Sequence, residues 1–104
     1  MNEFNELIGG EKPTLVDFFA TWCGPCKMQG PILEDVKKEL GEAVNVVKID
    51  VDRNQELAAR YRIQSVPTLI VFLKGEPVWR GAGVHQKAQL VDKMREFLNP
   101  KSDM

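Results

Sequence analysis

Both cysteines of the chain fall within four residues, Cys23-Gly24-Pro25-Cys26. Three chemistries fit two thiols at that spacing: a structural clamp, half of a metal site, or a pair that opens and closes. A clamp works mainly by closing long loops, and this loop is about the shortest a chain can close. Structural zinc takes four Cys or His ligands, whereas the only other candidate here is His85. Nucleophilic catalysis of the Cys–His kind would require that lone histidine to lie beside Cys23. Reversible thiol–disulfide exchange needs nothing beyond the pair. Residues three apart on a helix hold their β-carbons about 5–6 Å apart, and a small shift brings them to the roughly 3.5–4.5 Å of a disulfide.

The elements around the pair favour that chemistry. "TLVDFFA" is nearly all apolar, as a strand covered on both faces should be. The spacing of Met28, Ile32, Leu33, Val36 and Leu40 predicts a helix from about Gly24 to Leu40, closed by Gly41 and kinked at Pro31. Cys23 therefore stands at a strand-to-helix junction with Cys26 one turn inside the helix. Pro25 suits a first turn, where a backbone donor has no partner to lose. Unpaired N–H groups and the positive end of the helix dipole stabilise a thiolate at Cys23, and the thiolate is the attacking species in exchange. Cys23 is the expected nucleophile; Cys26, expected to be less exposed, is the resolving thiol.

The rest of the chain reads as one domain, 1–104, with no repeat or linker. "NEFNELIGG" is a short amphipathic helix. "VNVVKIDVD" alternates as a strand, and "NQELAARY" is a short helix. "TLIVFL" is a second buried strand, and "KGEP" turns into a short strand near Val78–Gly81. A final helix runs from about Gln86 to Leu98, stopped by Asn99-Pro100, with 99–104 expected as a frayed tail. This order predicts an α/β fold: a mixed central sheet with a right-handed parallel crossover, an antiparallel hairpin beside it, and helices on both faces.

Fourteen basic residues stand against fifteen acidic ones, a net charge of -1. That balance gives no electrostatic reason to expect nucleic acid or an anionic membrane as partner. No segment is long and apolar enough to span a bilayer, and the N-terminus lacks the pattern of a secretory signal. A cytoplasmic protein is the expectation.

Two other residues stand out. Asp17 puts a carboxylate inside an apolar strand, where it must pair, hydrogen-bond or hold a proton at raised pKa. A salt bridge to Lys48 on the neighbouring strand and a role in proton transfer are equally compatible with the residues alone. Pro67 begins a buried strand, an unusual place for proline.

"VDFFATWCGPCKMQGPILEDV" and "SVPTLIVFLKGEPV" together resemble the thioredoxin family, and the likeness extends from about residue 4 to residue 98. W-C-G-P-C at a strand-to-helix turn, with V-P-T some forty residues later, is a specific combination. The resemblance implies a thioredoxin fold acting as a general protein-disulfide reductase. It implies that Asp17 exchanges protons with Cys26, with Lys48 near that aspartate. It implies a cis Pro67 facing the cysteines, excluding metals and freeing the backbone of Val66 for strand-like pairing with a substrate polypeptide. Trp22, Gly24, Pro25, Val66, Pro67, Ala82 and Gly83 would form a flat, uncharged docking surface. No bound cofactor or metal is expected. The implied partners are disulfide-containing proteins and a thioredoxin reductase, commonly an NADPH-dependent flavoprotein, and the implied state is a monomer.

The chain also departs from the family pattern. Phe19 stands where tryptophan is usual, Ser65 where glycine is usual, and Trp79 has no counterpart. Only 22 residues precede Cys23, so the usual N-terminal strand is expected to be missing. Four strands would remain, with "VNVVKID" at an edge whose alternate charges discourage pairing with other chains.

Overall fold

The computed structural model of the protein describes residues 2–98. The expected helix stop at Asn99-Pro100 and the tail to residue 104 fall outside them. The elements follow as α1 (Asn2–Ile8), β1 (Thr14–Phe19), α2 (Gly24–Leu40), β2 (Asn45–Asp50), α3 (Gln55–Arg60), β3 (Thr68–Leu73), β4 (Glu76–Ala82) and α4 (Lys87–Leu98).

The described residues form one four-stranded sheet in the order β2-β1-β3-β4. β1 runs parallel to β2 and antiparallel to β3, and β3 runs antiparallel to β4. The two apolar runs, β1 and β3, are the central strands, while alternating "NVVKID" is an edge, as the expected lack of an N-terminal strand implied. Lys74 (φ 53) and Gly75 (φ 85) make the β3–β4 turn, two consecutive left-handed residues that match the twist of a tight hairpin. The β4 strand is longer than expected. A register shift at Val71/Phe72 sets Phe72 opposite Pro77 and Val71 opposite Trp79, and its edge position tolerates the donor that Pro77 lacks.

Side chains of β1 alternate between two cores. Leu15 faces Leu33, Val36, Leu90, Val91 and Met94 on the α2/α4 side. Val16 and Phe18 face Phe4, Ile8, Leu57, Ile70 and Phe72 on the α1/α3 side. The helices thus cover both faces, and the same alternation turns Asp17 toward the α2/α4 side.

Helix α2 runs continuously through Pro31, whose missing N–H leaves the Lys27 carbonyl without its helical donor. The helix ends at Gly41 (φ 57), whose N–H donates to the Lys37 carbonyl. The Lys37 ammonium then donates to the carbonyls of Gly41 (2.9 Å) and Val44 (2.8 Å), which satisfies exposed acceptors at the negative end of the helix.

Candidate active site

Cys23 caps the N-terminus of α2, with Pro25 in the first turn. The two cysteines are joined as a disulfide with their α-carbons 5.3 Å apart. The backbone N–H of Cys26 donates to Cys23 Sγ at 3.2 Å, a contact that stabilises negative charge on that sulfur once the bond opens. The two residues are equally covered, each 5 % exposed. The expected difference in exposure is therefore not present in the disulfide form, where both sulfurs pack among Ala20, Phe19, Val51 and Val66. What distinguishes Cys23 is the helix terminus and its donor.

Val66 and Pro67 are linked by a cis peptide bond. The Val66 carbonyl lies 3.6 Å from Cys23 Sγ, which brings the loop before β3 against that sulfur. Gly83 (φ 85) donates its N–H to the Pro67 carbonyl at 2.8 Å, so the end of β4 joins the same rim. Gly24, Pro25 and Ala82 are exposed, Val66 and Gly83 half-buried, and Pro67 buried. Trp22 is 70 % exposed, so it packs in no core. Its indole N–H donates to Asp52 Oδ2 at 3.0 Å, which holds the ring beside the pair. All seven expected surface residues thus belong to three chain segments that converge around one sulfur.

Asp17 lies in β1, the strand that leads toward Cys23. It is fully buried, and neither carboxylate oxygen has a hydrogen-bond partner among the described residues. Burial raises its pKa from the ordinary 3.8 to about 6, against an opposing pull from the Lys48 charge. The salt bridge weighed for this pair does not form among the described residues. Lys48 sits opposite Asp17 in the β1–β2 register, but its ammonium lies over the Phe19 ring, 5.1 Å from the centroid. There it stays exposed and avoids the desolvation that contact with a buried carboxylate would require. A β-carbon on Gly30 would stand 3.4 Å from Lys48 Nζ, an ordinary contact, so α2 passes close to the end of that side chain.

Gln29 was missed in the sequence. It is 0 % exposed, receives the His85 N–H on Oε1 at 2.8 Å and donates from Nε2 to the His85 carbonyl at 3.0 Å. A polar residue one turn after Cys26, in the stripe that continues through Leu33 and Val36, was the available signal. Arg80 was also missed: its guanidinium donates to the carbonyls of Tyr61 and Arg62, fixing the segment that leads into Pro67. Among the described residues no cluster of His, Cys, Asp or Glu could hold a metal ion, and no helix is long and apolar enough to cross a membrane.

A cysteine pair at a helix N-terminus, met by a cis-proline loop on a mixed sheet, defines a class of redox-active disulfide proteins. The family model described as Thioredoxin matches residues 1–96, and the chain belongs to the thioredoxin family. It is 52% identical over 92 residues to a thioredoxin-like protein of Synechocystis, with 88% of each chain covered. It is 47% identical over 95 residues to a bifunctional thioredoxin reductase/thioredoxin of Mycobacterium leprae, covering 91% of this chain and 21% of that much longer one. A thioredoxin of Halobacterium salinarum, solved as a point mutant, superposes with a TM-score of 0.87 at 36% identity, covering 94% of this chain and 85% of its own. The protein is a thiol–disulfide oxidoreductase of the thioredoxin fold.

Proposed function

We propose that the protein is a general protein-disulfide reductase, and the convergence of Val66 on Cys23 Sγ carries this reading. The Cys23 thiolate attacks one sulfur of a substrate disulfide, and the other substrate sulfur leaves as a thiolate. Asp17 accepts the Cys26 proton. The Cys26 thiolate then attacks Cys23 Sγ and expels the second substrate sulfur. The substrate gains two electrons and the protein closes its own disulfide. A carboxyl with a pKa of about 6 is matched to this task near neutrality. Lys48, one strand away, favours the ionised form that receives the proton.

Trp22, Gly24, Pro25, Val66, Pro67, Ala82 and Gly83 form the docking surface. It carries no side-chain charge and offers backbone groups, so an extended polypeptide can pair there with little regard to sequence. The dithiol is restored by a separate thioredoxin reductase drawing electrons from NADPH through a flavin, a pairing supported by the M. leprae protein whose name joins both activities. The 1–104 chain acts as one domain and as a monomer. The exposed large apolar side chains among the described residues, Leu7, Trp22, Met28 and Val78, are spread over separate elements rather than gathered into one subunit interface. A reductase works where thiols are kept reduced, which places it in the cytoplasm.

The test is the reduction potential of the Cys23–Cys26 pair, measured by equilibration against glutathione. A value well below about -230 mV makes the dithiol a donor of electrons to protein disulfides, as expected. A value above about -180 mV overturns the direction and makes the protein a donor of disulfides.

A further inference from the structure

From Gln29, hydrogen bonds and intervening backbone lead to the loop whose Val66 carbonyl meets Cys23 Sγ. Gln29 lies on the buried side of α2, three residues after Cys26, and holds the backbone of His85 by both its N–H and its carbonyl. The His85 ring turns back, and its Nδ1 lies 2.8 Å from the Gly83 carbonyl. That carbonyl can only accept, so Nδ1 carries the hydrogen. Gly83 in turn donates to the Pro67 carbonyl, next to the Val66 carbonyl that meets Cys23 Sγ. Trp79 packs edge-on against the imidazole, with centroids 5.3 Å apart. The space is closed on the third side by Gly81, where a β-carbon would fall within 2.8 Å of the ring and 2.7 Å of Trp79. The imidazole therefore has one seat.

We propose that Gln29 and the His85 ring are positioning residues that set the Ala82–Gly83 segment and the Pro67 loop at the level of the cysteine pair. They thereby determine how well an extended polypeptide disulfide is aligned for attack. They touch neither substrate nor sulfur. The proposal rests on the docking surface described above. A small aromatic disulfide needs only an accessible Cys23 thiolate, whereas a polypeptide must also align along Val66 and Gly83. The two substrate classes therefore separate positioning from thiol chemistry.

The experiment compares reduction of insulin with reduction of dithiobis(nitrobenzoate) by Gln29→Met, His85→Ala, His85→Asn and Trp22→Ala. Asparagine places its amide nitrogen where Nδ1 stands, so His85→Asn keeps the donor to Gly83. The insulin kcat/KM, divided by the rate constant for the small disulfide, is expected to fall about three- to tenfold in Gln29→Met and His85→Ala, through KM. His85→Asn should restore it, and the reduction potential should not move. An unchanged ratio in His85→Ala, or equal losses on both substrates with no rescue, overturns the proposal. His85 is only partly buried, so its two variants decide the matter even if Gln29→Met does not fold. Trp22→Ala tests the docking surface separately. Its loss of insulin reduction beside an unaffected His85→Ala would reject the strut alone, and the reverse pattern would support the strut and remove Trp22 from the surface.

Discussion

Gln29 and Asp17 are both polar, both wholly buried and both on the α2/α4 side of the sheet, yet their surroundings are opposite. Every hydrogen-bonding group of the Gln29 amide that faces His85 has a partner, and the result is a mechanical link. The Asp17 carboxylate has none, and the result is a group whose proton is loosely held near neutral pH. A satisfied buried polar group specifies geometry; an unsatisfied one stores free energy that chemistry can use. The region around Asp17 gives up stability to keep an unpartnered carboxyl, and the region around Gln29 gains order.

Three measurements would test this contrast. The sulfurs come first, because the roles proposed for both buried groups act through them. Cys26→Ser should reduce turnover with protein disulfides by at least about a thousandfold, by analogy with loss of a nucleophile elsewhere. It should accumulate a mixed disulfide through Cys23, visible as a mass adduct. Absence of an adduct on Cys26→Ser, with a stable adduct on Cys23→Ser instead, would reverse the roles given to the two cysteines.

Asp17→Asn should next stabilise the fold while slowing resolution. The folded pKa of about 6 lies above the ordinary 3.8, so the folded state holds a proton that the unfolded chain has released. Wild-type stability should then fall as pH rises from about 4 through about 6 and level off above. The total is of the order of 3 kcal/mol. Urea unfolding of Asp17→Asn should lack that slope and exceed wild type by about 2–3 kcal/mol at pH 7.5. A wild-type profile that rises over the same window would contradict the buried, unpaired carboxyl.

Gln29→Met should have the opposite sign and a smaller size. It leaves the His85 N–H and carbonyl without their partner, a loss of about 1–2 kcal/mol at any pH. A stabilised Gln29→Met would mean that the amide is no better satisfied than Asp17.

The sequence carried the site further than the supports. W-C-G-P-C and V-P-T are local strings whose residue types are dictated by a helix terminus and a cis peptide, so position and chemistry appear together. Asp17 was visible because a charge interrupts an apolar run. The four strands and their succession along the chain followed from patterning of the same kind, whereas the edge place of "VNVVKID" came from the family resemblance. The partnership of Asp17 with Lys48 was misjudged as a possible ion pair, since sheet register fixes which residues are neighbours but not where a long, exposed ammonium settles. Gln29 and Arg80 escaped because their partners are backbone atoms 56 and 18–19 residues away. No residue type in those stretches announces a carbonyl awaiting a donor. Asp52 was missed for a related reason: one more acid in "IDVD" says nothing about Trp22 until α2 and β2 are assembled.

The placement of β1 at the centre has a consequence for how each copy is made. β1 takes one neighbour from residues 45–50 and the other from residues 68–72. A ribosome adding about 5–20 residues each second needs roughly 2–10 s to pass from Cys23 to the end of β3. Throughout that interval the central strand lacks its second neighbour, and the loop that covers the sulfurs has yet to take its place. Newly made thiols are then open to wrong partners until residues 66 and 67 close over the pair.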